Sequence, residues 1–262
     1  MRLTAADDAN QDLPPAVRAR ITALQDQSEK LIGWIQLAIV ILFGVLYGLS
    51  RQTVPMGTAI WLLTPAAIGL YFIATVIRLI MAYRIRMGFW LLAGSIAIDM
   101  ALLYSLIWSF HLQYMQPASF YLKAPTQQYV YIFIALRALR FEVQYVVLAG
   151  AAAAFGWVVM IGYVLFADPH SNMITRNYIE YLTSNSILVG AEVDKIITIA
   201  AVTTILAFPI HGARRMMTQA VTGAQARENL SRFFAPEIAR HITRSGDAIS
   251  AGDGEAREAA IL

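Results

Sequence analysis

LIGWIQLAIVILFGVLYGL, residues 31–49, runs nineteen positions without a charged side chain. An α-helix needs about 20 apolar residues to cross roughly 30 Å of hydrocarbon, so this stretch has the length of a membrane span. Five more stretches of similar character follow, at about 57–77, 88–110, 117–136, 143–166 and 187–209. The third of them, the fourth span overall, starts among Pro117, Lys123 and Pro125, and the last carries Glu192, Asp194 and Lys195 near its beginning. Composition agrees. Of 262 residues, 58% are hydrophobic and only 14% charged, against roughly 25% charged in soluble domains. Mean hydropathy is +0.56. One globule of this size could not hide that much apolar surface. With no cysteine, disulfide frameworks and thiolate metal sites are excluded. Asp7, Asp8, Asp12, Asp26 and Glu29 precede the first apolar run. That is unlike a cleavable signal peptide, so the run is expected to stay as an anchor.

The basic residues set an orientation. Sixteen of the 20 Lys and Arg fall on one side of a six-span chain: before span one, between spans two and three, between four and five, and after six. Only Arg51, Lys123 and Arg176 fall clearly on the other side, with Lys195 at a membrane edge. Cytoplasmic loops carry the Lys/Arg excess, so both termini are expected in the cytoplasm. The pI of 9.2 is then a topology signal, and nucleic acid is not expected as a partner. The expected fold is an all-α membrane protein. Residues 1–30 form a cytoplasmic N-terminal helix and 31–210 a six-helix transmembrane bundle. Residues 211–244 form a cytoplasmic coiled-coil-like helix, and 245–262 a linker with the first strand of a further domain.

Gly44 and Gly48 form a GxxxG in span one, and span five carries Gly150 and Gly156. Small residues let helix backbones approach closely in lipid. Before span one, Val17, Ile21, Leu24, Ser28 and Leu31 recur at 4-3-4-3 spacing behind Pro14 and Pro15. This predicts an amphipathic helix lying on the membrane or against a partner helix. Beyond Pro209, Met216, Ala220, Gly223, Arg227, Leu230 and Phe234 trace a seam that a parallel coiled coil tolerates at some cost. A shorter helix from Pro236 to about Arg244, a Gly/Asp/Ser-rich linker and the apolar run REAAIL (257–262) follow.

The run ENLSRFFAPEIARHI (228–242), a polar linker and REAAIL resemble the lead-in to class III nucleotide cyclase catalytic domains. IALRALRF (134–141), between spans four and five, is similar to bacterial membrane-bound adenylate cyclases. The resemblance implies a membrane anchor and receptor module of a homodimeric adenylate cyclase of the bacterial inner membrane. It implies ATP converted to cyclic AMP, with Mg or Mn in a catalytic domain that this sequence does not include. No catalytic, cofactor-binding or metal-binding residue carries over. Arg137, Arg140, Glu228, Leu230 and Phe234 become candidate transducing residues.

Two polar groups inside the spans are candidate signalling or ligand residues. Asp99 lies about 18 Å along span three from its start near Met87, and a mid-membrane carboxylate must be paired, protonated or turned inward. It serves either as structural glue or as the residue that sets the signalling state. Glu192, Asp194 and Lys195 lie near the far end of span six, where Glu192 and Lys195 can pair on one face. They form either a solvated helix end or, with Asp168 or Glu180, the rim of a site for an extracellular ligand or cation. Arg137 and Arg140 are expected at lipid phosphates, within reach of Glu228. His111, His170, His211 and His241 have no metal-ligand spacing. The competing function is a six-span transporter or channel using Asp99 and the Glu192/Asp194/Lys195 cluster.

Overall fold

A computed structural model describes residues 15–49, 62–167 and 174–233. Helix α1 runs Pro15–Leu49, α2 Leu63–Arg84, α3 Phe89–Gln113, α4 Tyr129–Ala138, α5 Val143–Ala167, α6 Tyr178–Thr183 and α7 Val189–Phe233. Two 3-10 turns, Ala118–Lys123 and Pro125–Gln128, precede α4. Among the described residues the sole β pairing is an isolated bridge between Ile174 and Ile187.

Five helices are long and apolar enough to cross a membrane: Arg18–Leu49, Thr64–Arg84, Phe89–Gln113, Val143–Phe166 and Val189–Ala224. The expected fourth span, 117–136, is not one helix. Pro117 and Pro125 lack the backbone N–H a helix interior needs, and the chain takes two 3-10 turns before only ten α-helical residues.

Cross-helix contacts fix the packing. Leu79 touches Gly33, and Ile68 meets Gly44, so α1 and α2 are antiparallel. Arg78 to Asp99 and Thr64 to Ser109 set α2 against α3 in the same sense. Ring contacts Phe89–Tyr145, Tyr104–Trp157 and Trp108–Tyr163 make α3 and α5 parallel. Gly150 on Thr203 and Trp157 on Glu192 make α5 and α7 antiparallel. The bundle thus has two ends, here the arginine end (Arg78, Arg137, Arg140) and the lysine end (Lys123, Lys195).

The glycine pairs behave differently. A Cβ at Gly150 would lie 2.1 Å from Thr203 Oγ1, and one at Gly156 would lie 2.2 Å from Tyr104 Cε2. Helix α5 therefore uses its two glycines to seat two different helices, α7 and α3. A Cβ at Gly44 would make only ordinary contact at 3.9 Å, and one at Gly48 would meet nothing. The tight α1–α2 approach falls instead at Gly33, where a Cβ would sit 2.7 Å from Leu79.

Helix α1 is continuous through residues 30 and 31, and α7 through 210 and 211. The face of α1 that packs inside the chain differs from the Leu24/Leu31 seam expected to meet the membrane or a partner helix. Ile21 is buried, but Leu24 and Leu31 are exposed, and the buried face continues through Glu29, Ile32, Gln36, Val40 and Phe43. Two polar side chains on that face hold the helix to its neighbours. The helix from Pro236 and the REAAIL strand lie outside the described residues, as does Phe234.

Candidate functional site

The arginine end is built on six charged side chains from four helices and one turn. On α1, Glu29 and Gln36 are seven residues apart, two helical turns, and therefore share a face. Arg78 reaches from α2, Asp99 from α3 and Arg137 from α4. Arg140 and Glu142 come from the turn joining α4 to α5. That turn ends α4 with Phe141 at φ 58, the left-handed region few bulky residues occupy, and closes with Phe141 N–H donating to Ala138 O at 3.0 Å.

Asp99 is bound from three directions. Gln36 Nε2 donates to Oδ1 and Arg137 Nη2 to Oδ2, while Arg78 Nη1 approaches Oδ2 at 3.4 Å. Arg78 Nη1 also donates to Gln36 Oε1, and its Nη2 reaches Glu29 Oε2 at 3.0 Å. Arg140 bridges Glu29 Oε1 at 3.0 Å and Glu142 Oε2 at 2.7 Å. Gln25 Nε2 closes the chain on Glu142 Oε1 at 2.7 Å. Three guanidinium groups face three carboxylates, all at most 10% exposed. The sum is neutral. Arg140 lies in the turn outside the spanning helices; burial acts to lower its pKa, but Glu142 and Glu29 outweigh it and hold it above its ordinary value.

Buried ions of one sign are prohibitive, and pairing in a low-dielectric interior is what makes them tolerable. Charge balance, more than any single bond, therefore holds this end together. The expectation that Arg137 and Arg140 anchor at lipid phosphates is corrected: Arg137 is 4% exposed and committed to Asp99, and Arg140 is committed to two glutamates. Carboxylates inside the protein take the place of the phosphates. The side chains of Glu228 and Leu230 lie outside the described residues. Glu29, Gln36, Arg78 and Glu142 had not been singled out in the sequence. The spacing of Glu29 and Gln36 on one face of an otherwise apolar helix was the available signal.

The lysine end is smaller. Glu192 on α7 is 2% exposed and accepts from Lys195 Nζ at 2.9 Å and from Trp157 Nε1 at 3.1 Å. The expected i,i+3 pair is formed, but it is buried rather than solvated. Lys195 also donates to the Leu122 carbonyl and stands 4.8 Å from the Trp157 ring centroid. Lys123 donates to the carbonyls of Tyr181 and Ser184 and lies over the Tyr181 ring. This staples the 174–188 segment to the 3-10 turns. Asp194 does not join the cluster: it is exposed, and its carbonyl accepts from Thr198. Glu180 accepts instead from Thr175 Oγ1 at 2.6 Å. Asp168, His170 and His241 lie outside the described residues.

His111 is buried among Trp108, Tyr121 and Tyr163, and His211 is exposed. Among the described residues no three His, Asp or Glu side chains group to hold a metal. The Lys123-to-Arg137 stretch runs from one charged end of the bundle to the other. Comparison with known proteins matches no family model, no curated protein and no solved structure.

Proposed function

We propose that this chain is the membrane anchor and signal-coupling module of a class III adenylate cyclase, with a catalytic domain following Leu262. The 3-10 and α4 segment completes the sixth crossing, both termini face the cytoplasm of a bacterial inner membrane, and two copies pair along the distal part of α7. One observation carries the reading. Helix α7 is continuous over 45 residues, roughly 67 Å at 1.5 Å per residue, more than twice the hydrocarbon thickness. It begins at the Glu192–Lys195 clamp and passes through Pro209 into the NLSRFF segment that resembles the cyclase lead-in. A change in what holds Glu192 therefore has a mechanical route to the cytoplasm.

The transporter reading fares worse on the same geometry. A conducted ion or proton needs an available carboxylate, and Asp99 is occupied by Arg78, Arg137 and Gln36, Glu192 by Lys195 and Trp157. The test is to fuse residues 1–262 to a class III cyclase catalytic domain and assay cyclic AMP formation in membranes with Mg- or Mn-ATP. Wild type is compared with Glu192→Gln and Asp99→Asn at matched expression. Output that shifts with either substitution at a matched folded fraction supports coupling. Identical output from all three reduces the module to an anchor.

A further inference from the structure

Where the fourth segment gives up α-helical geometry, it leaves room. A cavity of about 460 Å³ lies between α1, α2, α3 and the start of α4, in the half of the bundle nearer the lysine end. That volume lies in the range of sites for small organic ligands, roughly 300–1,000 Å³. Its lining contains no Asp, Glu, Lys, Arg or His. Four elements agree on a polarity gradient. Along α1 the wall goes from Phe43 to Tyr47 towards the lysine end, and along α2 from Ile68 to Thr64. Along α3 it goes from Leu106 to Gln113, and along the fourth segment from Ile132 to Gln128. Every wall is apolar at its floor and carries a hydroxyl or amide at its rim.

We propose that this cavity binds an uncharged amphiphile drawn from the membrane, its apolar chain on the Phe43, Ile68, Leu106 and Ile132 floor. A small hydroxyl-type head would sit at the rim among Tyr47, Thr126 and Gln128. The gradient sets the direction of insertion. The absent charge sets the class, because an ionised head would enter a low-dielectric rim with no counter-charge. The nearby cations do not supply one, since Lys123 and Lys195 are spent on carbonyls and Glu192. Access is lateral: a second hollow of about 370 Å³ between α1 and α2 shares Tyr47 and Ile68 with the first and is lined by the exposed Ile41 and Phe72.

Binding here does not depend on the cyclase reading; only an effect on output would. The purified chain in phosphatidylcholine nanodiscs is labelled with a photoreactive diazirine analogue of hexadecanol, beside the matching palmitate and hexadecylammonium analogues. The alcohol should label saturably, in competition with unlabelled hexadecanol, on peptides of α1, α3 and the 125–132 segment. The charged analogues should show only non-saturable labelling. Leu106→Trp and Ile132→Trp, filling the floor from two walls, should each abolish the saturable component while the chain keeps its unfolding temperature within the wild-type range. A wild type whose Tm does not rise with hexadecanol, labelling equal for all three heads, or saturable labelling that survives in both folded variants would overturn the proposal. If one tryptophan variant fails to fold, the other decides.

Discussion

Asp99→Asn tests whether charge balance holds the arginine end together. The substitution is nearly isosteric, yet it leaves three guanidinium groups facing only Glu29 and Glu142. It also turns one acceptor of Arg78 and Arg137 into an amide. Breaking a buried ion pair by removing one partner costs about 3–5 kcal/mol, and with Asp99 6% exposed no solvent discount applies. Arg137→Gln should cost a similar amount with the opposite excess charge. The double variant restores balance, two guanidinium groups against two carboxylates, so it should be about 2–3 kcal/mol more stable than the sum of the singles. The assay is reversible unfolding in mixed micelles of lipid-like detergent and SDS, read by far-UV circular dichroism at matched protein-to-detergent ratios. Additivity within about 0.5 kcal/mol would refute the reasoning. It would mean that Asp99 and Arg137 act as separate hydrogen-bonding groups.

Four further outcomes are expected. Gly150→Val should destabilise the chain by about 1–3 kcal/mol through overpacking on Thr203, with partial recovery in Gly150→Val/Thr203→Ala. In the same unfolding assay Gly48→Ala, which meets open space, should stay within about 0.5 kcal/mol of wild type. A reporter active only outside the cytoplasm should work when fused after Lys123 and stay silent after Arg86; the reverse pattern would invert the proposed topology. Single cysteines at Leu230 or Phe234 should cross-link two copies in membranes, and failure at both with normal expression would count against a parallel seam.

What the sequence made legible follows from the kind of signal each feature sends. Apolar length is additive along the chain, so the five long helices could be located from composition. Helices α3 and α5 match within about three residues, whereas α2 runs 63–84 against an expected 57–77, and α1 and α7 extend well beyond their apolar runs. The fourth segment deceived because hydropathy ignores backbone hydrogen bonding: its apolar content is that of a span, but Pro117 and Pro125 remove the donors that would let it be one helix. Asp99 announced itself as a lone acid in an apolar run, while its partners did not. Arg78 lay six residues inside the end of α2 and read as loop charge. Arg137 and Arg140 read as lipid anchors, because sequence gives depth but not azimuth around the helix. The same blindness made Gly44 and Gly48 look equivalent to Gly150 and Gly156. Glu192 and Lys195 were legible because i,i+3 neighbours on one helix need no tertiary information, whereas Trp157 and the Leu122 carbonyl come from elements far away in sequence.

Helix α7 is unbroken from Val189 to Phe233, and that gives residue count an angular meaning. Thirty-eight positions separate Glu192 from Leu230, about 10.6 turns at 3.6 residues each, so the two residues occupy nearly opposite azimuths of one rod. Whatever grips the first therefore dictates the rotational phase in which the second is presented. One residue inserted after Pro209 would swing Leu230 by about 100°, while four would return it to within about 40° of its starting phase. Under the proposed coupling, length variation in this stretch would be periodic in its consequences, whereas a same-sized insertion in a loop would leave the phase unchanged.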